Sequence, residues 1–367
     1  MKYYIIAGEA SGDLHGSNLI SQIIQTQPTA EVRCWGGYLM EAAGARLIKH
    51  YKTLAFMGFV EVIKNLPTIL KNLSFCKKDI LQFKPDVLVL IDYPGFNMRV
   101  AKWAHSNGIK VCYYISPQIW AWKEKRVYAI KKYVHKMMVI LPFEKAFYKK
   151  FDVDVDYVGH PLAHIIDDFK HRYNQIAKQN IIALLPGSRK QEILIKLPIM
   201  LKVAKHFSQY TFVVAKAPGL DDAFYTPMLL PYNNVETVTN QTYLLLTKAK
   251  AALVTSGTAT LETALFAVPQ VICYKGNNLS YHIAKKLLKI KYIGLANIIM
   301  DKPIVKELIQ NNLNEINLKL ELTQLLKNGN EPNGKLQNDY KQLYNLLSQG
   351  GHASANAAKI ICQMATT

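Results

Sequence analysis

The chain has little cysteine, little acid and no long apolar run. Its five cysteines, Cys34, Cys76, Cys112, Cys273 and Cys362, lie far apart and form no CxxC pair. That excludes a disulfide framework and argues against a zinc site. Four of the five sit inside apolar runs, so buried free thiols of a reducing compartment are expected. No window approaches the roughly 18 uninterrupted apolar residues of a membrane span. The first apolar run, Tyr3–Ala7, is closed by Glu9 and is too short for a secretory signal. Asp and Glu number 26 against 45 Lys and Arg, a formal net charge of +19. Such an excess of base points to anionic partners: nucleic acid, phosphorylated ligands or a membrane surface. Half of the residues are hydrophobic, and 367 residues are long for a single core, so two globular domains are expected.

Short β-branched runs alternate with helical patterns along most of the chain. Lys2–Ala7, Val32–Trp35, Asp86–Ile91, Lys110–Ile115, Met137–Leu141 and Asp156–Val158 read as strands of a first sheet. After a polar helical stretch the pattern restarts with Asn180–Leu185, Thr211–Ala215, Val235–Val238, Ala251–Val254 and Gln270–Tyr274. This alternation predicts an α/β protein with parallel sheets. Two Rossmann-like domains facing across a cleft are expected, residues 1–165 and 166–350, with a last amphipathic segment after Gly350-Gly351.

Four strand ends carry candidate chemistry, because open parallel sheets bind ligands beyond the carboxyl ends of their strands. The first is Gly8-Glu9-Ala10-Ser11-Gly12-Asp13-Leu14-His15-Gly16, small and polar at once. Its spacing is neither a dinucleotide fingerprint nor a P-loop, since no Lys-Ser/Thr follows. The ordinary reading is a turn with Ser11 or Asp13 as helix cap. The second is Asp92, which ends a buried run before Tyr93-Pro94-Gly95. It is either a turn cap or a carboxylate that takes a proton from a substrate hydroxyl. The third is Pro186-Gly187-Ser188-Arg189, where helix amides and a guanidinium could hold phosphate. The fourth is Thr255-Ser256-Gly257-Thr258, with Glu262 one turn on, where a carboxylate could bridge two ribose hydroxyls. Capping boxes would also account for the last two. Arg189 and Glu262 fall in the same predicted sheet, which favours a nucleotide diphosphate over separate caps.

Other features read more plainly. Asp152, Asp154 and Asp156 alternate and resemble a DxD metal motif, but the wet face of an edge strand explains them. The stretch 54–70 is apolar with few charges, either a core helix or a surface that meets lipid beside Lys64, Lys71, Lys77 and Lys78. Trp120 and Trp122 precede a basic run that could clamp single-stranded RNA, yet no RNA-binding motif accompanies them.

Taken together, these motifs resemble the bacterial lipid-A-disaccharide synthase family. The opening GEASGDLHG is similar to that family's most distinctive stretch. Further matches follow in order: Met57-Gly58 with Glu61-Val62, Ile91 to Asn97, Ser116 to Trp122, Leu141 to Glu144, Gly159-His160-Pro161, Leu185 to Arg189 with Glu192, Ser256 to Glu262, and Asn297 with Glu307-Leu308. The resemblance implies a GT-B glycosyltransferase whose last helix, 351–367, returns to the N-terminal domain. It implies transfer of diacylglucosamine from its UDP derivative to diacylglucosamine 1-phosphate, giving a β-1,6 disaccharide and UDP, without metal or other cofactor. Under it Asp92 is the first choice of general base, with Glu9 and Asp13 as rivals and His15 a weaker one. Ser11 and Gly12 would face the lipid sugar. Arg189, Ser256, Gly257 and Thr258 would hold the diphosphate, Glu262 the ribose, and Asn297 and Glu307 would lie near the donor. Phe56, Met57, Phe59, Val60, Ile63 and Leu66 would receive acyl chains at the cytoplasmic face of an anionic inner membrane. No nucleic-acid partner is implied, and a homodimer is left open. The alternatives are a UDP-sugar 2-epimerase or other GT-B enzyme, which needs no acyl-chain surface, and a non-catalytic lipid- or RNA-binding protein.

Overall fold

The computed structural model describes residues 1–53, 66–173, 176–277, 281, 291–329, 331 and 334–367. They form two compact units, Met1–Pro161 with Ser348–Thr367, and Leu162–Leu347.

In the first unit the order is β1 Lys2–Ala7, α1 Ala10–Thr26, β2 Glu31–Gly36, α2 Tyr38–Ala42, β3 Arg46–His50, α3 Leu66–Phe83, β4 Val87–Ile91 and α4 Pro94–Ser106. β5 Lys110–Tyr114, α5 Ile119–Trp122, α6 Val127–Tyr133, β6 Lys136–Val139, α7 Glu144–Lys149 and β7 Asp156–Tyr157 complete it. The sheet order is β3-β2-β1-β4-β5-β6-β7, with parallel pairings. β1 and β4 are neighbours although β2 and β3 lie between them in the chain. The loops after Ala7 and Ile91, paired in register, therefore leave the sheet side by side at its switch point.

The second unit opens with α8 Pro161–Arg172, then β8 Ile181–Leu185, α9 Lys190–Ala204, β9 Thr211–Lys216, α10 Asp222–Leu229, β10 Val235–Thr239 and α11 Thr242–Lys248. β11 Ala251–Thr255, α12 Thr258–Leu265, β12 Gln270–Tyr274, α13 Leu295–Met300, β13 Lys306–Ile309, α14 Glu315–Asn328 and α15 Lys335–Ser348 follow. Its parallel sheet runs β10-β9-β8-β11-β12-β13. Here β8 and β11 flank the switch point, and Leu185 is in register with Val254.

The central strands are buried along their length, so both faces must be apolar; β4 reads VLVLI and β11 AALVT. The last helix, α16 Ala353–Thr366, packs on α1 and lays Ala357, Ala358 and Ile361 into the first unit's core with Leu19, Ile20 and Ile23. Two glycine sites make that return possible. Gly159 has φ +91°, and a Cβ there would lie 2.6 Å from the Gly351 carbonyl oxygen. The chain thus re-enters the unit backbone against backbone. Asn356 fastens the crossing by donating to the carbonyls of Val158 (3.1 Å) and Gly350 (2.6 Å). All five cysteines are buried and free. Asp156 pairs with Lys136 at the sheet edge, 3.4 Å apart, as a local surface contact.

Candidate functional site

At the first switch point the chain leaves β4 through two consecutive left-handed residues, Asp92 (φ 43°) and Tyr93 (φ 46°). Aspartate tolerates this conformation; tyrosine does so at a cost of about 1–3 kcal/mol, so the surroundings must hold it. The buried Asn97 amide donates to the carbonyls of Asp92 (2.8 Å) and Ile91 (3.1 Å), and the Tyr113 hydroxyl also donates to the Asp92 carbonyl. These bonds fix the backbone of Asp92, and its carboxyl takes a backbone hydrogen bond from Tyr93. The Tyr93 ring lies over Gly8, where a Cβ would come within 2.3 Å of it. Gly8 is glycine because the turn carrying Asp92 covers it.

Burial, and then the carboxylate of Glu9, push the Asp92 carboxyl up to about 7. Asp92 and Glu9 thus share one electrostatic neighbourhood. A carboxyl raised to about 7 suits proton transfer at neutral pH.

Further along the first loop, Gly12 and Asp13 turn inward. Asp13 is 4% exposed, and its carboxylate accepts from the amides of Gly37 (2.7 Å), Met40 (3.1 Å) and Leu39 (3.3 Å). It caps α2, with its oxygens engaged by those three amides. Gly12 packs beneath the loop, with the Ala7 Cβ only 3.0 Å from where its own Cβ would be. Ser11 alone of Ser11, Gly12 and Asp13 is exposed. His15 is buried, which holds its imidazole down to about 4, and its neighbour His160 is held down to about 3 by burial and by His15. This neutral pair lies in the core.

At the second switch point, Gly187 (φ +121°) and Gly257 (φ +126°) turn the chain into α9 and α12. Ser188, Arg189, Gly257 and Thr258 are exposed at these helix starts, and Ser256 is half-buried. The Arg189 guanidinium lies 3.2 Å from the Glu192 carboxylate. Glu262 stands one turn into α12; burial pushes its carboxyl up, and the Tyr243 hydroxyl donates to it at 2.9 Å. The helix amides and Arg189 can receive a diphosphate, and Glu262 can receive hydroxyls. Two partners escaped the sequence reading. Tyr243 left no signal. Lys196, four residues after Glu192 on α9, had one in the i,i+4 spacing of acid and base.

Asn297 and Glu307 are tied to each other and to the backbone ahead of α13. Asn297 is wholly buried and exchanges bonds with the Val305 backbone (2.8 and 2.9 Å) and donates to Glu307 (2.9 Å). Glu307 accepts from the amides of Ile293 (3.0 Å) and Gly294 (2.9 Å) ahead of α13. Buried Asn297 and half-buried Glu307 thus hold the start of α13 through these bonds.

Of the acyl-chain candidates, Phe56, Met57, Phe59, Val60 and Ile63 lie outside the described residues. Leu66 is exposed at the head of α3, followed on that helix by exposed Leu70 and Phe75. Among the described residues no helix is long and apolar enough to cross a membrane.

The family model described as lipid-A-disaccharide synthetase matches residues 3–362. A lipid-A-disaccharide synthase of Syntrophus aciditrophicus is 39% identical over 334 residues, 88% of this chain and 87% of that one. One of Coxiella burnetii is 38% identical over 371 residues, 97% of this chain and 96% of its own. Among solved structures, a kitacinnamycin glycosyltransferase superposes with TM-score 0.68 at 13% identity, covering 99% of this chain and 98% of that one. The Methanocaldococcus jannaschii UDP-GlcNAc 2-epimerase bound to UDP-GlcNAc and UDP gives TM-score 0.64 at 12% identity, over 99% and 100%. These two share the fold.

Proposed function

The chain belongs to the lipid-A-disaccharide synthase family, a disaccharide-forming glycosyltransferase of lipid A biosynthesis with a UDP-sugar donor and a lipid acceptor, and from that premise we propose that Asp92 is its general base and that the second unit holds the donor nucleotide. The acceptor 6-hydroxyl of diacylglucosamine 1-phosphate attacks the anomeric carbon of the donor's diacylglucosamine. Asp92 takes the hydroxyl proton as the new C–O bond forms. The bond from the anomeric carbon to the diphosphate breaks, and UDP leaves with the electron pair. Arg189 and the amides at Ser256–Thr258 stabilise the charge that develops on the leaving oxygen. Glu262, steadied by Tyr243, receives the ribose hydroxyls. Glu9 keeps the Asp92 carboxyl high enough to be returned to its protonated state and released near neutrality.

The observation that carries this reading is the Asp92 turn, a strained pair of residues in which the Asp92 carbonyl is held by Asn97 and Tyr113 while burial and Glu9 raise the carboxyl to about 7. The test separates the two units' roles. Asp92→Asn should slow disaccharide formation by about 10²–10⁴ while UDP still binds, and Arg189→Ala should weaken UDP binding itself. UDP affinity untouched by Arg189→Ala would refute the donor assignment.

An anionic bilayer at the cytoplasmic face is the partner we assign to the outer face of α5, α6 and the turn between them, which pack together. Trp122 and Tyr128 are 49% and 61% exposed there. Lys123 and Arg126 lie 4.0 and 5.7 Å from the Trp122 ring. Exposed indole and phenol among cations match the headgroup zone of anionic lipid.

A further inference from the structure

Lys196 is a buried cation that the reaction scheme does not use. It rises from the second turn of α9 between the apolar Ile193 and Leu197, with its side chain 3% exposed. Its ammonium donates to the Thr255 hydroxyl and to the Glu192 carboxylate, the latter at 3.4 Å. Burial lowers its pKa, and Glu192 opposes that shift. Thr255 ends β11 and Glu192 stands on the first turn of α9, so one side chain ties together the two loops of the second switch point.

The placement of Glu192 gives this tie an electrostatic purpose. A Cβ on Gly187 would lie 2.6 Å from the Glu192 carboxylate oxygen and 3.6 Å from the Thr255 methyl. The carboxylate therefore lies directly against the loop whose amides would receive a diphosphate. An uncompensated carboxylate there repels the ligand through a few ångströms of low-dielectric protein, where unit charges interact strongly. Arg189, Glu192 and Lys196 together carry one net positive charge; without Lys196 the three carry none.

We propose that Lys196 is a positioning and charge-compensating residue of the donor site: it neutralises Glu192 and locks the Gly187 and Thr255 loops into one diphosphate cradle. This rests on the assignment of the donor nucleotide to the second unit. The loss on removing Lys196 is specific to ligands that carry the diphosphate, because Lys196 acts through the loops and not on the base or the ribose.

Titration calorimetry with UDP and with uridine tests it on the full chain. The wild type should bind UDP more tightly than uridine; equal affinities would refute the donor assignment itself, whatever Lys196 does. Given that preference, Lys196→Met should weaken UDP roughly tenfold and leave uridine unchanged. The double variant Glu192→Gln with Lys196→Met removes the stranded carboxylate and should recover most of the loss. A purely structural role predicts equal losses for both ligands and no recovery. Should Lys196→Met fold poorly, Thr255→Val removes only the hydroxyl that anchors the ammonium, and a loss of roughly threefold confined to UDP is expected. UDP affinity unchanged in the folded variants, or uridine weakened in parallel, overturns the proposal.

Discussion

Replacing Asp92 by Asn keeps the shape of the side chain and removes its ability to accept a proton. A positioned general base contributes about 10²–10⁴ in rate, or roughly 3–5 kcal/mol of barrier, so turnover should fall by that factor with UDP affinity preserved. The wild-type pH profile is more telling. Burial, with Glu9 adding to it, holds the Asp92 carboxyl at about 7. The base works only when ionised, so kcat should rise with pH through about 7 and level off above it. Glu9→Gln removes the neighbouring charge and should slide that limb toward lower pH. Stability runs the other way. The folded chain binds this proton more tightly than the unfolded chain, whose aspartates titrate at the ordinary 3.8. Ionising Asp92 therefore costs stability as pH rises from that value to about 7, and the cost is complete above it. Full burial would make that about 4 kcal/mol; the solvent contact the side chain keeps reduces it to about 2. At about pH 8, Asp92→Asn should thus be the more stable protein and the slower one. UDP release at saturating substrates, set beside urea unfolding at acid and alkaline pH, measures both. Turnover within a few-fold of wild type, or a rising limb that stays put in Glu9→Gln, would refute the reasoning.

Three further outcomes are expected. Asp13→Ala strands three amides of Gly37, Leu39 and Met40 and should cost about 2–3 kcal/mol in urea unfolding; a loss of activity at unchanged stability would assign Asp13 to the chemistry. Tyr243→Phe unpairs Glu262 and should raise the donor KM by roughly fivefold with little change in kcat, since the bond lost is worth about 1 kcal/mol. Trp122→Ala with Tyr128→Ala should cut binding to phosphatidylglycerol vesicles by roughly tenfold in sedimentation at equal stability; undiminished binding would move the bilayer contact elsewhere on the chain.

The strands that build both switch points were readable because parallel strands buried on two faces are continuous apolar runs, as in Val87–Ile91 and Ala251–Thr255. The two that escaped, Arg46–His50 and Lys306–Ile309, are edge strands, RLIKH and KELI, whose charges break the pattern. The same logic divides the site. Asp92, Arg189 and Glu262 stand at strand ends or one turn beyond, where sequence order alone predicts their surroundings. Asp13 does not, because its partners are amides contributed 24 to 27 residues later by α2. The Asn297–Glu307 bond likewise forms only once β13 closes the sheet, so no local pattern shows it. Tyr243 reaches Glu262 from another helix, a contact that depends on packing and on no local pattern.

The central claim, that this chain transfers a sugar from a UDP donor to a lipid hydroxyl with Asp92 taking the proton, is tested most directly by following UDP release from UDP-diacylglucosamine with and without diacylglucosamine 1-phosphate. The account predicts UDP only when both are present, one disaccharide for each UDP, and both formed about 10²–10⁴ more slowly by Asp92→Asn. Release at the same rate from the donor alone would contradict it.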